Sequence, residues 1–216
     1  MLSSTSLFSL IDYLGVFVAA VGGALEAARD ERYEFDIIGV FGLALASALG
    51  GGLLRDVLLQ SGPPLALVHP IYIVIASTGA AVGVLTRRSA GRRTDQLLYV
   101  VDAAALGLFA VAGSTRGVNA GLLFLPSLLL GGVTAVGGGA LRDVLSGSTP
   151  RIFVRGRFYA IAATLASIVF LGLDALGFSR TTSTIAGTSV GFLVRLGSLI
   201  FDWQTRAVRS RRGPSK

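Results

Sequence analysis

Seven long apolar runs, each closed by a short polar break, account for almost the whole chain. A helix that crosses a bilayer needs about 20 predominantly apolar residues. On that measure the runs predict spans at about 10–28, 35–59, 70–86, 96–115, 121–145, 158–176 and 184–200. The breaks carry the stop signals: Arg29-Asp30-Glu31-Arg32, Ser61-Gly62-Pro63-Pro64, Arg87-Arg88-Ser89-Ala90-Gly91-Arg92-Arg93, Arg116-Gly117-Val118-Asn119, and the turn around Ser179 to Ser183. The predicted fold is therefore all-α, a polytopic membrane protein in one transmembrane domain over 1–216.

Two of the runs depart from the pattern in the same way. Gly50-Gly51-Gly52-Leu53-Leu54-Arg55-Asp56-Val57-Leu58 returns 87 positions later as Gly137-Gly138-Gly139-Ala140-Leu141-Arg142-Asp143-Val144-Leu145. Glycine disfavours a helix by about 1 kcal/mol relative to alanine. An Arg or Asp at the centre of a spanning helix adds roughly 2.5–3.5 kcal/mol each on insertion scales. At the same offset Ser61 matches Ser148, Pro63 matches Pro150, Tyr72 matches Tyr159 and Ala76 matches Ala163. At a slightly larger offset Asp12 answers Asp102, and Ala19 and Gly22 answer Ala110 and Gly113. Spans one to three (about 10–86) and four to six (about 96–176) thus read as copies. Three is odd, so the second copy lies upside down in the bilayer, with a seventh helix (about 184–200) and a basic tail (201–216) added.

Charge sets the orientation. Arg29, Arg32, Arg87, Arg88, Arg92, Arg93, Arg151, Arg155, Arg157, Arg206, Arg209, Arg211, Arg212 and Lys216 fall on one side of this layout; Arg116 and Arg180 fall on the other. The positive-inside rule then puts the N-terminus outside and the C-terminus in the cytoplasm. It also accounts for the net charge of +7 without nucleic acid. At 14% charged residues and a mean hydropathy of +0.72, little is left for a soluble domain. The start lacks a basic region ahead of its first apolar run and reads as a retained span.

Each unusual residue has a structural and a functional reading. The glycine triplets either break or kink a path-lining helix, freeing backbone groups, or let two helices cross closely. The first is favoured by the repetition and by the Arg-Asp that follows. Neighbours on a helix point about 100° apart, so Arg55 is expected to reach Asp143, and Arg142 to reach Asp56. Asp12 and Asp102 open spans one and four, as N-terminal caps or as cation-attracting mouths. Ser47 and Thr134 sit three residues before each triplet, where hydroxyls could replace ion hydration. Glu26 is expected to pair with Arg29, and Arg195 to snorkel toward headgroups. The Gly79/Gly83 and Gly187/Gly191 pairs read as helix packing or a subunit contact. Arginines at the inner border suit anionic lipid or topology alone. With no cysteine and one histidine, His69, the sequence predicts no metal site and no cofactor; no nucleophile–base arrangement predicts an enzyme.

The doubled Gly-Gly-Gly-x-x-Arg-Asp-Val-Leu, the two aspartates and the seven-span inverted repeat resemble prokaryotic members of the trimeric intracellular cation channel family, over nearly the whole chain. The resemblance implies a homotrimer with one pore per subunit, conducting potassium and sodium. It implies kinks at Gly50, Gly51, Gly52, Gly137, Gly138 and Gly139, and puts Arg55, Asp56, Arg142 and Asp143 near the pore. Eukaryotic relatives carry a lysine-rich motif in span two linked to phosphoinositide; here Arg-Asp-Val-Leu stands instead. The rival reading is a secondary transporter of a small zwitterion such as glycine, a label borne by a closely similar bacterial family.

Overall fold

In a computed structural model that describes residues 4–30, 32–86 and 92–205, the chain is all-helical. The elements are α1 (Ser4–Ala27), α2 (Ile37–Leu59), α3 (Leu65–Val68), α4 (Ile71–Thr86), α5 (Arg92–Asn119), α6 (Phe124–Leu145), α7 (Ala160–Ala175) and α8 (Arg180–Ile200). Among the described residues the β content is one isolated bridge, Arg157 to Gln204. The basic stretch 87–91, Glu31 and the tail from Arg206 to Lys216 lie outside the described residues.

Local chemistry sets the helix ends. Asp36 caps α2, accepting a hydrogen bond from the Gly39 N–H at 2.7 Å, and Ser179 caps α8 by accepting from Thr182 N–H at 3.1 Å. Gly147 and Gly177 take left-handed φ of 70° and 83° just past α6 and α7, where a side chain would be strained. Two ends differ from the sequence reading. α1 starts at Ser4 and α5 at Arg92, so Asp12 and Asp102 are interior residues and cap nothing. Polar residues at those starts end an apolar run without ending a helix. Arg92 and Arg93 accordingly belong to α5 rather than to a loop.

Helices α1, α2, α4, α6 and α8 carry apolar stretches facing outward, with Ile38, Leu85, Leu129 and Leu193 among the most exposed side chains. Among the described residues four helices are long and apolar enough to cross a membrane: Ser9–Ala27, Ile37–Leu59, Phe124–Leu145 and Arg180–Ile200. The shorter Ile71–Thr86 and Ala160–Ala175 reach about 24 Å at 1.5 Å per residue.

Helix α1 packs against α2 and α4, and α5 against α6, α7 and α8; α1·α5 and α2·α6 contacts join the two groups. Small residues make the contacts, as expected where lipid removes the hydrophobic drive between helices. A Cβ on Gly79 or Gly83 would meet the Phe17 or Val21 carbonyl of α1 at 2.6 or 2.7 Å. One on Gly187 would meet the Ala166 carbonyl of α7 at 2.9 Å, and one on Gly191 the Gly107 Cα of α5 at 3.0 Å. Both glycine pairs are thus used inside the subunit.

Candidate functional site

The glycine triplets sit where α2 and α6 cross. Both helices run unbroken through Gly50–Gly52 and Gly137–Gly139, so no helix break frees backbone groups there. The glycines instead let two backbones touch. A Cβ on Gly51 would strike the Thr134 carbonyl oxygen, and one on Gly138 the Ser47 carbonyl oxygen. A Cβ on Gly50 would meet Leu141 at 2.7 Å, and one on Gly137 would meet Leu54 at 2.8 Å. Each contact turns into the other when 87 is added to one residue and subtracted from its partner. Gly113 holds the place against Thr134 and Gly131 that Gly23 holds against Ser47 and Ala44. The glycine matching Gly113 is therefore Gly23 rather than Gly22.

The Arg-Asp pairs close on themselves. Arg55 Nε donates to Asp56 Oδ1 at 2.8 Å, and Arg142 Nη2 donates to Asp143 Oδ1 at 2.6 Å. The expected crossed pairs, Arg55 with Asp143 and Arg142 with Asp56, do not form. The 100° offset separates short side chains, but an arginine is long enough to fold back along the helix to its neighbour. Each aspartate's second oxygen accepts a backbone N–H from the chain that follows: Leu65 to Asp56 at 2.8 Å, Arg151 to Asp143 at 3.2 Å.

Around Arg55 everything is shut. Its Nη1 lies 3.5 Å from Asp12 Oδ1, and Tyr72 donates its hydroxyl to Asp12 Oδ2 at 2.7 Å. The side chains of Arg55 and Asp12 are 2% and 3% exposed. The space left between Asp12, Arg55, Asp56, Tyr72 and Phe109 is about 10 Å³, at most about the room that a single water requires.

Around Arg142 the partners differ and the space is open. Arg142 pairs with Glu26 as well as Asp143, and Arg151 also pairs with Glu26. Asp102 accepts from Arg195 Nε at 2.8 Å. Arg195 also donates to the Phe158 carbonyl at 3.0 Å and lies over the Tyr159 ring at 4.7 Å. It is buried and paired, and does not snorkel. Partners across the bundle satisfy Glu26, where the sequence suggested Arg29. These groups border a cavity of about 500 Å³ that reaches Ser47, Ala135 and Gly139 at the crossing. Phe109 borders both this cavity and the shut space beyond; a Cβ on Gly15 would meet its ring at 2.8 Å.

Of the paired hydroxyls, Ser47 lines the cavity. Thr134 is sealed in the α5·α6 contact, donates to the Leu130 carbonyl at 2.6 Å, and does not line the cavity. Sequence reasoning matched Tyr72 with Tyr159 but gave them no role. It passed over Phe109 and Arg151, which carry no signal beyond ordinary apolar and basic positions.

At the cavity rim the segment after α8 docks on the segment before α7. Phe158 N–H donates to the Trp203 carbonyl at 3.1 Å, Thr205 N–H donates to the Gly156 carbonyl at 2.9 Å, and Arg157 Nε donates to Asp202 at 2.8 Å. That bond holds the Asp202 carboxyl below its ordinary range. Asp30, beside Arg32, is lowered for the same reason.

A bundle with ionic clusters at two levels and a blind cavity between them is the architecture of a helical membrane channel protein. Known proteins agree. A family model described as glycine transporter matches residues 9–88 and 99–175. The UPF0126 membrane protein of Vibrio cholerae is 33% identical over 195 residues, covering 90% of this chain and 80% of its own length. The UPF0126 inner membrane protein YadS of Escherichia coli is 31% identical over 190 residues, covering 88% and 90%. The TRIC trimeric intracellular cation channel orthologue from Rhodobacter sphaeroides superposes with a TM-score of 0.81 at 33% identity, covering 91% of this chain and 98% of that one. A second TRIC cation channel, solved to explain conductance, gives 0.82 at 26% identity, with 95% and 99% covered. The chain belongs to the prokaryotic trimeric intracellular cation channel family. It is a membrane protein of the channel kind and not an enzyme.

Proposed function

We propose that this chain is a gated, potassium- and sodium-permeable channel with one path per subunit of a homotrimer, running between α1, α2, α5 and α6. The observation that carries the reading is the line of spaces along the bundle: an open cavity of about 500 Å³, then Phe109, then a shut cluster with about 10 Å³. A guanidinium fixed in a cation path is an electrostatic barrier. In this reading Arg55, held by Asp12 and Asp56, is the closed gate. Ser47, Ala135 and Gly139 form the path wall, the close crossing at Gly50, Gly51, Gly52, Gly137 and Gly138 holds that wall in place, and Arg142 and Asp143 stand at the inner entrance. Moving one charge through the whole field is worth about 2.3 kcal/mol per 100 mV, so voltage can bias Arg55.

The topology follows. Helices α1, α2 and α4 to α8 make seven spans and α3 lies at the outer surface. The halves α1–α4 and α5–α7 are inverted copies, the N-terminus is outside, and the C-terminus is in the cytoplasm of the cell that makes it. Arg29, Arg32 and Arg155 at the inner rim meet anionic headgroups.

Glycine transport is the second reading, supported by the family model's description. A carrier built from inverted repeats needs a mirror state in which the outer end opens and the inner one closes. Arg55 would then leave Asp12 for the carboxylate that answers Glu26. At the α1-to-α5 offset set by Gly23 and Gly113, that position is Arg116. The outer end therefore has one stable ion-pair setting, which suits a gate better than a rocking carrier. Recording purified protein in planar bilayers tests this: discrete potassium-carried steps are expected. Saturable glycine uptake into vesicles with no steps would replace the channel reading.

A further inference from the structure

The two ionic clusters are made of matching residues and yet are arranged differently. At the outer end the aspartate of the first helix is held by the arginine of the glycine helix: Asp12 by Arg55 at 3.5 Å, with Tyr72 donating to the same carboxylate at 2.7 Å. Matching residues at the inner end are Asp102, Arg142 and Tyr159. There, Asp102 is held by Arg195 at 2.8 Å, and Arg142 has turned to Glu26. Arg195 belongs to α8, which has no counterpart in the first half. Its guanidinium also covers the Tyr159 ring, at 4.7 Å. Asp102 and Arg142 border one cavity, so no wall separates them. Exposure follows the pairing: the side chains of Asp102 and Arg142 are 32% and 11% exposed, against 3% and 2% for Asp12 and Arg55.

We infer that Arg195 is a positioning residue that holds the inner end of the path open, by occupying Asp102 and so keeping Arg142 on Glu26. This rests on the equivalence of the two halves proposed above. The added eighth helix is then the reason that two similar clusters differ. The first half supplies an arginine to its own aspartate and shuts. The second half has its aspartate taken by a helix from outside the repeat and stays open. With Arg195 removed, Asp102 loses its hydrogen-bonded partner beside a cavity that Arg142 and Arg151 both border. Arg151 is already held by Glu26 and Asp143, and Arg142 is the guanidinium whose counterpart, Arg55, already makes that pair. The inner end then folds into the outer end's arrangement.

The chain has no cysteine, so a single cysteine reports the cavity cleanly. Ala105 lines the cavity and is half-buried. In Ala105→Cys protein in detergent, the rate of modification by a charged methanethiosulfonate reads how open the inner end is. Adding Arg195→Gln is expected to slow labelling by about tenfold or more, the factor that accompanies a shift of about 1.4 kcal/mol in a two-state population. Adding Asp102→Asn to that variant removes the anion that attracts Arg142 and is expected to restore the parent rate. Labelling that stays at the parent rate in Arg195→Gln overturns the inference. So does slow labelling that Asp102→Asn fails to rescue, because that is general collapse rather than re-pairing. Labelling needs no ion current, so a chain that proved not to conduct would still return a decision here.

Discussion

Replacing Gly51 by alanine tests the close crossing of α2 and α6. The new methyl would strike the Thr134 carbonyl oxygen and lie 3.1 Å from its carbon and 3.4 Å from the Gly138 nitrogen. Those atoms are backbone in an unbroken helix and cannot rotate away. Overpacking of this kind costs about 1–3 kcal/mol. Alanine's helix preference over glycine works the other way, by about 1 kcal/mol. Gly42 in the same helix isolates the two effects, because a Cβ there meets nothing within 4 Å. The difference between Gly51→Ala and Gly42→Ala is then the overpacking contribution alone. Thermal unfolding in detergent, followed by the single tryptophan, Trp203, is the assay. At about 2–4 °C per kcal/mol for a chain of this length, Gly51→Ala should melt several degrees below Gly42→Ala. Gly138→Ala should behave like Gly51→Ala. The double variant should lose less than the sum, since both methyls push the same helices apart. A Gly51→Ala protein that melts with or above Gly42→Ala refutes the close crossing.

Two further outcomes follow from the cavity. Phe109→Ala removes the ring between the open cavity and the shut cluster, and should raise open probability in bilayer recordings; an unchanged value means that Phe109 is packing only. The docked segment from Phe201 to Thr205 should respond to acid through Asp202, whose ordinary value is 3.8 and whose docked value is lower. A carboxylate lowered by docking favours the docked state above its undocked value and loses that contribution as pH falls through the docked one. Trp203 fluorescence should therefore hold steady from neutral pH down to 3.8 and change only below it. Asp202→Asn should abolish that acid transition, and a transition centred near neutrality would show that another group controls docking.

The helices were legible because long apolar runs mark them, and those runs overlie α1, α2 and α4–α8; among the described residues four of these helices are long and apolar enough to cross a membrane. Their starts were not, since Ser4-Thr5-Ser6 and Arg92 to Asp95 are polar but still helical. That error turned Asp12 and Asp102 from ion-pair partners inside the bundle into supposed caps. The glycine triplets announced themselves, but the close crossing they make is visible only in the Thr134 and Ser47 carbonyls against Gly51 and Gly138. Pairing was misread because helical geometry describes where Cβ atoms point, and arginine places its charge well beyond that. α3 is four residues long, too short for any periodicity. The difference between the two ends was out of reach, because it depends on Arg195, which stands outside the repeat and has no matching residue to draw attention to it.

The central claim is that Arg55, held by Asp12, shuts the outer end of an otherwise open path. Tyr72 tests it with the smallest change, because Tyr72→Phe deletes one buried hydrogen bond to the Asp12 carboxylate and keeps the ring. A hydrogen bond to a charged group contributes about 1.5–3 kcal/mol, so its loss should raise the ratio of open to closed time by about one to two orders of magnitude. Single-channel recording of Tyr72→Phe beside the parent and Tyr159→Phe is the measurement. A large rise in open probability for Tyr72→Phe, with Tyr159→Phe unchanged, is the predicted result. Equal open probability in all three proteins would contradict the claim.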